Sequence, residues 1–472
     1  MAIRYAGRAI PSCHASPRFF QDNLAFKDGG MRHSKLTSAI SFMIVKDCQP
    51  FSIVENEGFM KVLHTAVPSY KVPSRFTMKR IIKDRFEILA HIFKEKLSSV
   101  ASYTLTTDVW TDTMQTRSFL GITIHFGQDV RLYSATLGVF ELDERHTSEY
   151  IAAKLIETCD DWKINHDKVI AVVTDSAANM IKAINIAFGS KKHIPCFAHT
   201  LNLIADRSIK SDKDLVKKLI QEVPTSLSEV CDTLMPLEAA TKEICGEKYL
   251  TCSLIIPMAY CLENKIEKLN PKQELGTKLK NSLLAEMKRR FEHLEHVQLL
   301  ALSTLLDPRF KKIHFKDVGA AGKNVNVLKN IVTTSMTHTQ TIESESSDSN
   351  QSAAGIGNFS LWSDHNKLVE KTWHKSREDA NSMPSELTLY LRAPVARLGD
   401  KPLEIWKEMA PTYPNLSKIA SQYLTIIGTS VPSERLFSKA GQILTQQRNK
   451  LKGSMLSQLL FLHSLDGSLW DL

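Results

Sequence analysis

Residues 168–180 read KVIAVVTDSAANM, and this short stretch decides the fold class. Its first half is an apolar run that predicts a strand buried on both faces, as in a sheet covered by helices. The run ends on Asp175 and leads directly into a helical pattern. A buried strand followed at once by a helix predicts an α/β domain with an acid at one edge of its sheet.

Extended patterns flank this stretch on both sides. Three runs at hairpin spacing, 102–110, 118–127 and 131–140, predict adjacent antiparallel strands. A helix is predicted over 147–162, and a short strand near 193–196 is followed by another helix. The order of these elements predicts a mixed α/β sheet with helices between its later strands.

Helical periodicity dominates the rest of the chain. Residues 1–33 lack it and are predicted to be disordered, whereas 34–99 form a small, basic helical domain. The pattern is helical again from about 210 to 332. The Ser/Thr-rich tract 333–358 has the composition of a disordered linker.

The composition excludes several classes of protein. Of the 472 residues 43% are apolar, but no run of about 18 apolar residues and no signal-peptide core occur, so we expect no membrane partner. The eight cysteines include no C-x-x-C pair, and we expect reduced thiols in an intracellular protein. The net charge of +9 arises mostly in the first hundred residues. Such a basic face is either a site for a polyanion or a solvated surface.

Two acids stand where predicted strands stop. Asp108 ends the first strand and Asp175 ends the later, buried one. Acids that follow neighbouring strands can converge at one sheet edge, where a divalent cation such as Mg²⁺ would relieve their mutual repulsion. Each acid alone is better explained as a turn residue that bonds its own backbone. A third carboxylate would favour the metal site, and Glu434 lies in the first turn of a helix predicted to begin near Pro432.

Cys196 and His199 form a C-x-x-H sequence that resembles half a zinc site. No second pair lies at suitable spacing, so no structural zinc is predicted. We expect Cys196 to be buried and His199 to face the same sheet edge as Asp175. His199 is then either a structural histidine or a group close to a phosphate.

Five segments in order, TTDVWTD, VTDSAANM, CFAHTLNLI, LLDPRFK and TSVPSERLFSKAG, resemble the hAT family of DNA transposases and the zinc finger BED-domain proteins derived from it. The resemblance implies an RNase H-like fold interrupted by a long helical insertion. It also implies that Asp108, Asp175 and Glu434 are a catalytic triad holding two Mg²⁺ ions. The implied divisions are a first part of the core at 100–205, an insertion at 206–410, and a return to the core with a dimerisation region at 411–472.

The same resemblance implies a homodimer or higher homo-oligomer. The candidate dimerisation residues are apolar and lie near the end of the chain: Phe437, Leu456, Leu459, Leu460 and Phe461. A helix that is apolar on most sides must be buried, either in a dimer or within its own domain. The candidate contacts to double-stranded DNA are four cations of the N-terminal helical domain: Lys79, Arg80, Lys83 and Arg85.

Two departures from the family pattern bear on function. No Cys pair of a BED finger is present, and the Arg-Trp-Asn-Ser stretch expected after about residue 225 is absent. We therefore expect a domesticated, dimeric, DNA-associated nuclear protein, such as a transcriptional regulator, that has lost catalysis. The alternatives are an active metal-dependent transposase and a protein-interaction scaffold that does not bind DNA.

Overall fold

The computed structural model describes residues 30–112, 117–211, 224–245, 252–337, 362, 368, 386–444 and 451–471. The chain divides into two compact units. Unit 1 comprises residues 1–92 and 439–472, and unit 2 comprises residues 93–438. The last 34 residues thus group with the N-terminal helices, which the pattern of the sequence did not predict.

Unit 1 is helical. Its helices are α1 (Met31–Lys46), α2 (Glu57–Ala66), most of α3 (Arg75–Ser99), the end of α15 (Val431–Ile443) and α16 (Gly453–Ser464). In the part of the predicted disordered segment 1–33 that the structure describes, 31–33 are already helical; 1–29 lie outside the described residues. The Lys46 ammonium donates to the carbonyl oxygens of His463 and Leu465 and thereby ties the end of α16 to α1.

Unit 2 contains a five-stranded mixed sheet. Its strands are β1 (Tyr103–Asp112), β2 (Arg117–Gln128), β3 (Arg131–Leu142), β4 (Val169–Thr174) and β5 (His193–Pro195). They lie in the order β3-β2-β1-β4-β5. The first three are antiparallel neighbours, and β4 pairs in parallel with both β1 and β5. The predicted mixed α/β sheet is confirmed.

One strand is longer than predicted. Strand β1 continues to Asp112, so Asp108 lies inside it rather than at its end. The continuation pairs with β2 alone, because the pairing of β1 with β4 ends at Thr106. Asp108 is therefore at the end of the β1–β4 pairing, which preserves the reason for expecting it near Asp175.

Helices make up the rest of unit 2. They are α4 (Ser148–Asp161), α5 (Ala178–Phe188), α6 (Phe197–Lys210), α7 (Pro224–Ile244), α8 (Ile255–Glu267), α9 (Glu274–Phe291), α10 (Gln298–Leu306), α11 (Val318–Thr337), α12 (Glu386–Arg392), α13 (Pro402–Met409), α14 (Pro414–Leu424) and the first part of α15. Helix α11 includes the first five residues of the predicted linker 333–358, and the remainder lies outside the described residues. No helix within the described ranges is long and apolar enough to cross a membrane.

A buried polar cluster joins the helices of unit 2. The carboxylate of Asp307 accepts two hydrogen bonds from the Arg309 guanidinium, at 2.9 and 2.7 Å, and one from the Ser253 hydroxyl at 2.7 Å. The Lys311 ammonium donates to the carbonyl oxygens of Tyr390 and Ala393. These bonds fix the start of the segment after the linker to the LLDPRFK segment before it.

Candidate functional site

The register of the sheet brings Asp108 and Asp175 to the same level. Thr106 pairs with Val173 across the parallel strands β1 and β4. Each acid lies two residues beyond its member of this pair, so both leave the same face of the sheet at the same edge. The predicted convergence of these two acids thus follows from the strand pairing itself.

The pKa of Asp108 reflects the nearness of the other two acids, Asp175 and Glu434. The pKa of its carboxyl is raised to about 7, mainly by burial and in smaller part by the charges of Asp175 and Glu434, while the hydrogen bond from the Val109 N–H lowers it. The bond from Val109 is 2.8 Å long. Asp175 and Glu434 therefore both lie close enough to Asp108 to act on it, and no cationic side chain of the described residues contributes to the pKa of Asp108.

Helix α15 carries Glu434 and packs across the acid-bearing face of β1. The Ser433 hydroxyl lies 2.9 Å from that of Thr106. One turn later the Phe437 ring stacks on Trp110, with centroids 5.9 Å apart. Because Thr106 and Trp110 flank Asp108 on the same face of β1, these two contacts bring the start of α15 alongside Asp108.

Gly121 makes this approach possible. It lies directly opposite Asp108 on β2. A Cβ atom at Gly121 would lie 2.8 Å from two ring atoms of Phe437 and 3.2 Å from the Leu436 side chain. The absence of a side chain at position 121 thus lets α15 lie close to the sheet beside the acid.

Cys196 links the strand before Asp175 to the segment before Glu434. Its N–H donates to the carbonyl oxygen of Thr174 at 2.7 Å, and its Sγ accepts from the Ser430 N–H at 3.2 Å. The thiol is buried, as predicted, and burial raises its pKa. In the structure Cys196 caps helix α6 by accepting the N–H of His199.

Two histidines lie in this region, His199, which was predicted to face the edge that bears Asp175, and His193, for which no prediction was made. His199 lines a cavity of about 730 Å³ between α6, α7 and the start of α15, where Glu434 is also exposed. The histidine that responds to Asp175 is His193 on β5: burial lowers its pKa, and the interaction with Asp175 raises it. The signal that would have identified His193 is its place on a strand parallel to β4, one strand away from the acid.

The donor set fits Mg²⁺ in chemical type. Three carboxylates supply hard oxygen ligands, and a cation would offset both the burial and the neighbouring charges that raise the pKa of Asp108. Within the residues that the structure describes, however, no three His, Cys, Asp or Glu side chains are grouped closely enough to hold a metal ion. Binding would therefore require the carboxylates of Asp108, Asp175 and Glu434 to draw together.

The predicted dimerisation side chains lie in the interior. Phe437 is buried in unit 2, and Leu456, Leu459, Leu460 and Phe461 are buried in unit 1. The Phe461 ring packs edge-on against Phe86 of α3, with centroids 5.5 Å apart. Direct contact of the predicted dimerisation side chains with a second copy stays a prediction.

The predicted DNA-binding cations lie on α3 in two different settings. Lys79, Arg80 and Lys83 are exposed. Arg85 instead donates to the carbonyl oxygen of Trp470, and its guanidinium lies 5.8 Å from the centre of the Trp470 ring. Three of the four cations thus face solvent, whereas Arg85 fastens the end of the chain to α3.

Comparison with known proteins defines the class. Residues 386–465 match the hAT family C-terminal dimerisation region. The chain is 25% identical to zinc finger BED domain-containing protein 4 of Homo sapiens, over 94% of this chain and 44% of that protein. It is 20% identical to the putative AC transposase of Zea mays, over 87% of this chain and 62% of that protein.

A third relative extends the same pattern. Zinc finger BED domain-containing protein 6 of Homo sapiens is 22% identical over 91% of this chain and 55% of its own length. These matches show that the chain is similar to hAT transposases and to zinc finger BED domain-containing proteins. The chain spans about half the length of these curated relatives.

Proposed function

We propose that this chain is a nuclear, DNA-associated protein derived from a hAT transposase, that it acts as a homodimer, and that it has lost strand cleavage. The match of residues 386–465 to the hAT dimerisation region supports the dimer. Relatives named as transposases support an association with double-stranded DNA. The absence of the Arg-Trp-Asn-Ser stretch supports the loss of cleavage, because the family aromatic that packs against DNA near the cleavage site is missing with it.

The sheet supports an RNase H-like core for this protein. Three antiparallel strands followed by two parallel ones, in the order β3-β2-β1-β4-β5, place one acid on the central strand and one directly after its parallel neighbour. The observation that carries the proposal is the approach of three acids far apart in sequence: the pairing of β1 with β4 sets Asp108 level with Asp175, and the contact of Ser433 with Thr106 brings Glu434 alongside Asp108. A common ancestor that held metal ions accounts for this arrangement.

Mg²⁺ is the ion that these three carboxylates would hold. When bound, two such ions supply an activated water or 3′ hydroxyl and stabilise the leaving oxygen of a phosphodiester. The protein's own residues orient the acids: the pairing of β1 with β4 sets the level of Asp108 and Asp175, and α15 brings Glu434 to them. This retained geometry favours the second candidate function, an active metal-dependent transposase.

A nicking assay separates the two candidates. Supercoiled plasmid is incubated with the protein and Mg²⁺, and with the matched variant Asp175→Asn. We expect no nicking by either protein. Nicking that requires Mg²⁺ and disappears in Asp175→Asn would overturn the loss of catalysis and establish the transposase.

DNA association is tested through its salt dependence. Replacing Lys79, Arg80 and Lys83 together by Gln should reduce the slope of log affinity against log salt by up to about 3, since each lost phosphate contact removes about one released counterion. The matched control replaces three other exposed lysines, Lys210, Lys242 and Lys278, by Gln and should leave the slope unchanged. Absence of binding at low salt would favour the scaffold instead.

The dimer has an independent test. Light scattering at micromolar concentration should give twice the mass of one chain. A mass of one chain under these conditions would refute the homodimer without bearing on the acids of the sheet.

A further inference from the structure

We infer that Ser433 and Thr106 are positioning residues, whose hydrogen bond fixes the start of α15 so that Glu434 faces Asp108 across the metal-binding edge of the sheet. This inference rests on the proposed ancestry of the site and adds the device that assembles it. Neither residue is a ligand: both hydroxyls are buried beneath the acids, and each precedes an acid in its own element by one or two positions.

A chain of four hydrogen-bonding groups runs beneath the acids. The Ser433 hydroxyl lies 2.9 Å from that of Thr106, which contacts the Thr123 hydroxyl, and His125 Nε2 lies 3.0 Å from the Thr123 hydroxyl. Thr106 faces Thr123 directly across β1 and β2. These hydrogen bonds therefore connect α15, the third element of the site, to strands β1 and β2.

The four groups of this hydrogen-bonded series are all neutral, and they form hydrogen bonds with one another. Burial lowers the pKa of His125 to about 3, so its ring is neutral. In either ring tautomer the hydroxyls of Thr106 and Thr123 can each donate one hydrogen bond and accept another along this series, and the Ser433 hydroxyl at its end makes one. A buried polar group without its partner costs about 1–3 kcal/mol. Other dockings of α15 that leave Thr106 or Ser433 unpaired are disfavoured for this reason.

The hydrogen bond between Ser433 and Thr106 fixes the position of the start of α15, which the contact of Phe437 with Trp110 does not. The stack of Phe437 on Trp110 holds α15 against the sheet one turn further on, but ring stacking tolerates sliding and rotation. A hydrogen bond between two short side chains fixes both the distance and the height of the helix start. Since Glu434 directly follows Ser433, its carboxylate is placed relative to Asp108 by this bond.

The test measures the site and the helix separately. Binding of Tb³⁺, a luminescent ion that prefers oxygen ligands, is titrated into the full chain and into Ser433→Ala, Thr106→Val and the double variant. Amide hydrogen exchange over residues 431–438 is followed in the same proteins without metal. The matched control is Ser438→Ala, an exposed serine on the same helix, and Glu434→Gln marks the loss of a ligand.

We expect Ser433→Ala and Thr106→Val each to weaken Tb³⁺ binding by about 10-fold or more, as loss of groups that orient metal ligands commonly does. The double variant should bind no more weakly than Thr106→Val alone, because both single changes remove the bond between Thr106 and Ser433 and Thr106→Val also removes the contact with Thr123. Exchange at 431–438 should accelerate in all three, and Ser438→Ala should match the unchanged protein. Two variants that break the bond from opposite sides keep the test decisive if one of them fails to fold.

The outcomes distinguish this inference from the proposed function. Tb³⁺ binding that depends on Glu434 but not on Ser433 or Thr106 would overturn the positioning role and leave the metal site standing. If the unchanged protein binds no Tb³⁺, the metal site fails. The exchange data then decide the inference: faster exchange in both single variants supports it, and unchanged exchange refutes it.

Discussion

Two aspartates of unit 2, Asp307 and Asp108, have opposite environments. Asp307 is fully buried, and its carboxylate accepts hydrogen bonds from the guanidinium and the N–H of Arg309 and from the Ser253 hydroxyl. Asp108 is partly buried, accepts one hydrogen bond from the next N–H, and has two further acids near it. Among the residues that the structure describes, Asp307 has a counterion at hydrogen-bond distance and Asp108 has none.

The difference separates a structural acid from a candidate ligand. A buried charge is stable only when it is paired and hydrogen-bonded, which describes Asp307. Folding that brings Asp175 and Glu434 toward Asp108 instead costs free energy, because these three charges repel one another. Functional sites are often built from acids whose close approach costs free energy that no other contact of the fold offsets. The predictions below address this contrast from its largest expected effect to its smallest.

The largest effect is expected at the structural acid. Asp307→Asn leaves the nearly buried Arg309 guanidinium without its counterion and should lower the free energy of unfolding by about 3–5 kcal/mol. Urea denaturation measures this change. The control Asp206→Asn, which breaks an exposed pair with Lys210, should change it by less than about 1 kcal/mol. If Asp307→Asn and Asp206→Asn lowered the free energy of unfolding equally, Asp307 would not be the structural acid described above.

Replacing the candidate ligand Asp108 is expected to raise the free energy of unfolding, whereas replacing Asp307 lowers it. The pKa of Asp108 is about 7 in the folded protein, and an aspartate in an unfolded chain titrates near 4. The folded state therefore retains this proton across that window, and its stability falls as pH rises through it and is level above about 7. Asp108→Asn, which cannot ionise, should raise the free energy of unfolding by roughly 1–3 kcal/mol at pH 8 in the absence of divalent metal.

The pH dependence is the check on this second prediction. The advantage of Asp108→Asn should be smaller at pH 5 than at pH 8. Urea denaturation at both values measures it, with Asp206→Asn again as the control. A destabilising effect at pH 8 would show that Asp108 is a structural acid like Asp307.

A smaller effect is expected from the close approach of α15. Gly121→Ala forces the Phe437 ring and the Leu436 side chain to move, and should cost about 1–3 kcal/mol, as overpacking does. The control is Gly441→Ala on the same helix, where an added Cβ meets open space; alanine is also the better helix former, so this change should be neutral or stabilising. Thermal unfolding compares the two. If Gly121→Ala were harmless, α15 would not be held against the sheet as described.

Much of the sheet was predictable because alternation and apolar runs report burial directly. All five strands were predicted, and Asp175 was correctly expected to end β4. The extension of β1 beyond Asp108 was missed, since polar residues at 111 and 112 resemble a turn but continue the pairing with β2. Pairing between strands depends on the partner, which periodicity within one strand does not reveal.

The surroundings of the acids were less predictable. The bond between Thr106 and Ser433 joins residues 327 positions apart, and neither hydroxyl differs in sequence from an ordinary one. His199 was expected to face the edge that bears Asp175; it lines a cavity together with Glu434, and its position relative to Asp175 stays a prediction. The apolar surface of α16 was predicted to be buried, but not that unit 1 would bury it.

The central claim is that Asp108, Asp175 and Glu434 form one site for a divalent cation. Calorimetric titration of Mn²⁺ into the full chain at pH 8 tests it most directly, beside the single variants Asp108→Asn, Asp175→Asn and Glu434→Gln and the control Asp206→Asn. The account predicts binding by the unchanged protein and the control, and a loss of binding in each of the three variants. Absence of binding, or binding that survives all three substitutions, would contradict it.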